Sequence, residues 1–287
     1  MTTPLSPLAF ETMAMLLKTG SGLIIGTDKI YLLETRLAGL LKREKLPDLN
    51  ALAERLRRPG TDALCRDMIE AMTTNESFFF RDDKPFDHFR TRALPRLAAT
   101  RPPGAVLRVW SAASSSGQEA YSLAMIVAES SAILGGRKVE IVGTDIARDQ
   151  LTRAREGTYS QFEVQRGLPV QMLMRYFRKD DTRWRVADTI RSMVQFREYN
   201  LLTDLRPLGR FDIVFCRNVL IYFDQPTKTR VLDAITALMP TDGLLYLGGA
   251  ETVLGITSRF APLSSERGVY SVVAPGAPAT ARMAAVG

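Results

Sequence analysis

The sequence predicts an α/β fold: a domain built on a mostly parallel sheet, carrying a small inserted β-subdomain and preceded by a small all-α domain. Three observations predict it. Residues 5–72 place apolar side chains at helical spacing and contain no strand pattern. From Val106 onward, short apolar runs alternate with helical segments, as in parallel sheets covered by helices. Between Asp145 and Val194 the chain is far longer than a strand–helix–strand crossover needs.

The elements follow in order. Leu8, Met13, Leu16 and Leu17 mark a first helix, ended by Gly20 and Gly22. Ile30, Leu33, Leu37, Leu40 and Leu41 line one face of a second, over 29–44. A third spans 48–58 between Pro47 and Pro59-Gly60, and a fourth spans 62–72. The stretch TTNESFFFRDD (73–83) interrupts the pattern. A helix after Pro85 runs to about Ala99, and Arg101-Pro102-Pro103-Gly104 breaks it. Strands are expected at VLRVW (106–110), VEIVGTD (139–145), VQFRE (194–198), FDIVFC (211–216), GLLYLGG (243–249) and VYSVV (269–273), with helices at 117–130, 146–155 and 225–239. In the long connection, Asp180-Asp181 beside the alternating run 182–187 reads as a hairpin. The expected domains are 1–72, all-α; 73–104, a linking segment; and 105–274, α/β with 156–190 inserted. An Ala/Pro/Gly-rich tail, 275–287, is expected to be disordered.

Composition excludes several chemistries. The 287 residues are 46% apolar and 24% charged, ordinary for a soluble globular protein. One histidine, His88, and two distant cysteines, Cys65 and Cys216, cannot supply a His/Cys zinc site, which needs about four ligands. A Ser-His-Asp or Cys-His pair would have to use His88, which lies in the charged run 82–92. Two lone cysteines fit a reducing compartment. No signal peptide and no run near the ~18–20 apolar residues of a membrane span are evident, so the protein is expected to be cytoplasmic. The net charge of +7 points to an acidic partner without identifying it.

Polar residues at strand ends carry the candidate chemistry, since ligands of open α/β sheets bind there. After the first strand, residues 111–117 read SAASSSG, small enough for a ligand to approach the backbone at a helix start. The loop is neither GxGxxG nor a Walker loop, and a plain strand–helix turn would look similar. Glu119 follows, either as a ligand-holding carboxylate or as the acid of a Ser116-x-x-Glu119 capping box. Asp145 closes the second strand, where an acid can bond ribose hydroxyls or cap the next helix. Arg217 and Asn218 stand where a buried strand opens, with Tyr222 one helical turn later. Asn75–Arg81 mixes three phenylalanines with polar groups, which also suits a buried aromatic hinge.

Together, TTNESFFFRD (73–82), RVWSAASSSGQEAYSLAM (108–125), GTDIARDQLTRAREGTY (143–159), NLL (200–202), FDIVFCRNVLIYFD (211–224) and GLLYLGGAET (243–252) resemble the CheR-type chemotaxis receptor glutamate methyltransferases. The resemblance runs from about residue 8 to 273. It implies a Rossmann-like S-adenosylmethionine-dependent methyltransferase domain that uses S-adenosyl-L-methionine, yields S-adenosyl-L-homocysteine and methylates glutamate side chains on receptor signalling helices. Carried over by motif, Asn75, Ser77 and Arg81 resemble cofactor contacts, Ser77 standing where many members have threonine. Glu119 resembles the acid after the loop, Asp145 the ribose-binding acid, and Asn200 with Leu201 the adenine-side pair. Arg217, Asn218 and Tyr222 resemble the group beside the methyl, so Arg81 and Tyr222 are the candidate catalytic residues. Gln118 and Ala120 replace the more usual Glu and Pro.

A glutamate side chain, with a pKa near 4.3, is already anionic at neutral pH, so this transfer requires neither a general base nor a metal. Residues 29–58 carry eight basic residues against four acids, either a solvated face or a dock for the acidic receptor cytoplasmic helices that the resemblance implies. Some members of the family bind a receptor tail peptide through a longer, glycine-containing hairpin. The short Lys179-Asp180-Asp181-Thr182 turn here implies independence of that tether. A monomer is expected, without nucleic acid and without membrane insertion. The alternatives are a nucleic-acid methyltransferase, favoured by the pI of 9.6, and a non-catalytic cofactor-binding signalling module.

Overall fold

The computed structural model describes residues 4–263 and 266–273; the expected disordered tail lies outside them. The chain divides into two compact units. One comprises residues up to Thr74 together with Tyr222–Thr227; the other comprises Asn75–Ile221 and the residues from Lys228 onward.

In the first unit, helix Pro7–Ser21 starts where the Ser6 hydroxyl accepts the Ala9 N–H and ends at Gly22. Gly22 sits at φ 80°, and its N–H closes on the Lys18 carbonyl. Helices Ile30–Glu44, Leu49–Leu56 and Asp62–Met72 bury Leu33, Leu37, Leu52, Ala53 and Met68 completely. Asp48 caps helix Leu49–Leu56, its carboxylate accepting the Ala51 N–H. The last carbonyls of Asp62–Met72 need donors from beyond the helix, and the Arg36 guanidinium supplies one, 2.6 Å from the Met72 oxygen. The segment Tyr222–Thr227 is held by the Ile24 N–H on the Tyr222 carbonyl and by Lys18 on Asp224 at 2.8 Å. That lysine holds the Asp224 carboxyl well below its usual range.

The second unit is a seven-stranded sheet. Its strands are β1 (Leu107–Ala112), β2 (Val139–Asp145), β6 (Val194–Glu198), β7 (Ile213–Cys216), β8 (Leu244–Leu247), β9 (Phe260–Pro262) and β10 (Val269–Val272). Their order is β6-β2-β1-β7-β8-β10-β9; pairs up to β8 are parallel, and β10 is antiparallel to both β8 and β9. The chain winds outward from β1 in both directions, so β1 and β7 flank the switch point where a ligand cleft is expected. The core is aromatic, with Phe215 stacked on Tyr246 at 4.2 Å between centroids. The inserted segment forms a separate antiparallel sheet of β3 (Thr158–Ser160), β4 (Phe177–Asp180) and β5 (Arg183–Val186), ordered β3-β5-β4. The hairpin turn falls at Asp181, which adopts φ 51° where a glycine would be at ease.

Three details differ from the sequence expectation for physical reasons. β3 and β9 are three residues each, too short for alternation to register. The helix after Asp83 passes through a π-helical stretch, Phe89–Ala93, just before Pro95, which lacks the N–H that would continue α-helical bonding. His88 is a buried core residue, its Nδ1 2.8 Å from the Tyr246 hydroxyl, and burial pushes its pKa down. Among the described residues no helix is long and apolar enough to cross a membrane, and no cluster of His, Cys, Asp and Glu could hold a metal ion.

Candidate active site

The carboxyl ends of β1, β2 and β7 bring most of the candidate residues of the α/β unit into one network. The loop 113–117 is forced into unusual backbone: Ala113, Ser115 and Gly117 all have positive φ. Its N–H groups are used to brace it, Ser114 on the Thr144 carbonyl at 2.8 Å and Ser115 on Asp145 Oδ2 at 2.7 Å. Gly117 is obligatory, because a Cβ there would stand 2.9 Å from the Phe196 ring. The Ser116 hydroxyl pairs with Gln118, and Gly117 occupies the helix N-cap, so no Ser116/Glu119 capping box forms. Glu119 instead accepts the Ser111 hydroxyl on Oε1 and Arg217 Nη1, at 3.0 Å, on Oε2.

Arg217 is the hub. Its side chain is 1% exposed, and besides Glu119 it donates to the Arg81 carbonyl and to Asp82 Oδ2, both at 2.7 Å. It therefore ties the aromatic segment to β7 and to the helix after β1. That segment is contorted, with Phe80, Asp82 and Asp83 all at positive φ. The Phe80 N–H rests on the Ser122 hydroxyl, and the Asn75 carbonyl accepts the Ser115 hydroxyl. Ser77 is half-buried in the same stretch. The Arg81 side chain lies 5.1 Å from the Phe78 ring and reaches the Glu76 carbonyl only at 3.3 Å, so most of its donors are uncommitted.

Asp145 is buried and takes three main-chain donors, Ser115 on Oδ2, Ala147 on Oδ1 and the Ile146 N–H. Burial pushes its carboxyl up, against the lowering effect of those N–H groups. Asn200 folds into a turn, its Oδ1 accepting the Leu202 N–H, with Leu201 half-buried beside it. Tyr222 groups by its contacts with the helical unit.

One residue escaped sequence reasoning. Glu251, 9% exposed, accepts the N–H groups of Asn218, Val219, Leu220 and Gly248 at 2.7–2.9 Å and that of Ile221 at 3.3 Å. It fixes Asn218 at φ 61° and the 3₁₀ turn Leu220–Tyr222. Gly248 must be glycine, since a Cβ would meet Glu251 Oε2 at 2.8 Å. The signal was available: an acid after Gly-Gly at the end of a buried strand.

An S-adenosyl cofactor fits these residues. Glu119 retains about two of the four acceptor positions of a carboxylate and Asp145 about one, enough for an amino group and a ribose hydroxyl. The buried Ser114 hydroxyl has no partner, and the loop around it has small side chains. Sheet order, inserted subdomain and strand-end site together define the class of Rossmann-like, S-adenosylmethionine-dependent methyltransferases. The model of the CheR methyltransferase SAM-binding domain matches residues 75–269, and the chain belongs to that family. It is 38% identical over 266 residues to the chemotaxis protein methyltransferase Cher2 of Pseudomonas putida, covering 91% of this chain and 96% of that one. It is 39% identical to chemotaxis protein methyltransferase 1 of Pseudomonas aeruginosa at the same coverage. To chemotaxis protein methyltransferase 1 of Vibrio cholerae it is 37% identical, over 88% of this chain and 92% of that one.

Proposed function

We infer that this enzyme transfers a methyl group from S-adenosylmethionine to glutamate carboxylates on the cytoplasmic helices of a chemotaxis receptor, giving glutamyl methyl esters. The observation that carries the reading is the strand-end network: a small-residue loop flanked by two carboxylates with acceptor capacity left, beside an arginine with uncommitted donors. The cofactor supplies an electrophilic methyl group. The protein supplies alignment, worth up to about 7–11 kcal/mol in well-oriented systems, and exclusion of water. Asp145 holds the ribose, Glu119 with Asn75 and Ser77 the amino-acid end, and Asn200 with Leu201 the adenine. Asn218 lies toward the methyl, while Arg217 acts by holding Glu119 and the Arg81 backbone in place. Arg81 orients the incoming carboxylate through charge-assisted hydrogen bonds. Tyr222 is assigned to the same task on its motif position.

Of the basic residues in 29–58, several are already engaged. Arg43 pairs with Glu44 and Asp67, Arg55 with Glu44, and Arg58 with Glu54. Lys29, Lys42 and Lys45 are exposed and enter no ion pair among the described residues. These three are the proposed electrostatic dock for acidic receptor helices, an attraction that weakens with salt. The short hairpin supports a reading in which no tail peptide is needed. A measurable affinity for a receptor tail pentapeptide would count against it.

The test incubates the protein with methyl-labelled S-adenosylmethionine and a receptor cytoplasmic fragment. Label should enter the fragment and leave as methanol in base. Arg81→Ala and Tyr222→Phe should lower the rate at saturating cofactor. Label in RNA, or none in any acceptor, refutes the function; wild-type rates in both variants refute their assignment.

A further inference from the structure

A second site lies away from the strand-end network. A pocket of about 670 Å³ opens where the sheet edge β6 meets the inserted subdomain, and Arg155, Arg185, Arg191 and Arg197 line it against a single acid, Asp188. Phe196 separates it from the cofactor loop: its ring packs where Cβ atoms of Gly117 and Gly143 would stand, at 2.9 and 2.6 Å. The pocket is thus behind the loop, and the methyl-transfer reading uses none of its arginines.

Their charges are poorly compensated. Among the described residues, Arg155 reaches only the Phe196 carbonyl, at 3.2 Å, and Arg197 only the Gln195 amide oxygen, at 3.0 Å. Arg185 has no hydrogen-bond or ion-pair partner among the described residues. Arg191 Nη1 lies 3.0 Å from Asp188 Oδ1, but out of line, so this buried nitrogen has no hydrogen-bond acceptor. Four guanidinium groups converging on one concavity repel one another unless an anion sits among them, and their planar forks match phosphate oxygens in pairs.

We propose that this pocket is a binding site for a compact multivalent anion of the phosphoanhydride type, with Arg185 and Arg197 as its principal ligands. A monovalent anion would leave most of the charge uncompensated. A free diphosphate and the diphosphate of a nucleotide share the recognised chemistry.

The experiment is calorimetric titration of the full chain with inorganic pyrophosphate and, separately, with ADP. Saturating S-adenosylhomocysteine is present throughout, so that the adenine site is filled. Pyrophosphate should bind with a Kd well below about 1 mM at low salt and weaken as salt rises. Arg185→Gln combined with Arg197→Gln should weaken it at least about tenfold, two charge-assisted contacts being lost. S-adenosylhomocysteine affinity and thermal melting of the variant should match the parent protein, since both side chains are exposed. Equal affinities for the two ligands identify the diphosphate alone as recognised; tighter ADP binding identifies a nucleotide as the source. No binding of either below about 1 mM, or undiminished binding by the double variant, overturns the proposal.

Discussion

Asp145 and Glu251 are both buried carboxylates at strand ends, and both accept main-chain N–H groups, yet they are spent differently. Glu251 takes five donors from two loops, which exceeds the roughly four acceptor positions of a carboxylate. Asp145 takes three and keeps about one position. A carboxylate filled by its own backbone is scaffold; one left with a position open, beside a loop of small residues, has capacity for a ligand. The pair separates holding the site from being the site, which motif matching cannot do, because both acids fall within matched segments.

The largest expected effect is at Glu251. In Glu251→Gln the amide presents one oxygen and one NH₂, so whichever way it turns, at least two backbone donors face a donor. Each buried donor left unsatisfied costs about 1–3 kcal/mol, so thermal or urea unfolding should register a loss of about 2–6 kcal/mol. The cofactor affinity should fall with it, because Asn218 loses its anchor. Unchanged melting would erase the distinction between the two acids.

Asp145→Asn should do the opposite in kind. Burial raises the carboxyl pKa in the folded state. The group therefore favours folding when protonated, below the ordinary aspartate pKa, and that contribution is lost as pH rises through the raised value. At neutral pH the ionised group weighs against the fold, and the uncharged amide relieves this while losing one acceptor. Stability at pH 7 should change by less than about 1 kcal/mol, while S-adenosylhomocysteine affinity drops about tenfold or more, as befits a lost hydrogen bond to a charged group. In the parent protein that affinity should also fall on acidification, beginning above the usual aspartate range, and the variant should lack this dependence. A variant that melts far lower yet binds normally would make Asp145 a second Glu251.

How far the sequence carries follows the same line. The parallel strands, the helices and the hairpin were legible because each repeats a period over enough residues, and Asp145, Glu119 and Arg217 stood out as charges ending buried runs. What could not be read were relations formed only on folding. Ser116 turns to Gln118 rather than to Glu119's helix start. Arg217, expected beside the cofactor, is enclosed by Glu119, Asp82 and the Arg81 carbonyl. His88, in a charged run, points inward to Tyr246. Tyr222 belongs by contact with the helices at the other end of the chain. Each depends on partners about a hundred residues or more away or on a local turn choice, and neither leaves a periodic trace.

The contrast between spent and spare capacity recurs in the helical unit, between two glycines. A Cβ on Gly20 would meet the terminal methyl of Ile69 from the helix packed beside it, so that glycine leaves room for this contact. Gly39, inside helix Ile30–Glu44, is exposed, and a Cβ there would meet nothing within 4 Å. A mid-helix glycine costs roughly 0.5–1 kcal/mol relative to alanine, and no packing among the described residues requires this one. It lies three residues before Lys42, on the same exposed face, where, in the proposed dock, a receptor helix drawn in by that lysine would approach the backbone closely. Gly39→Ala should therefore stabilise the protein by roughly 0.5–1 kcal/mol in urea unfolding. It should also raise KM for the receptor fragment a few-fold, with S-adenosylhomocysteine affinity unchanged. If the stability rises and the receptor KM does not move, the space over Gly39 is simply unfilled, and the dock must be sought at Lys29 and Lys45 instead.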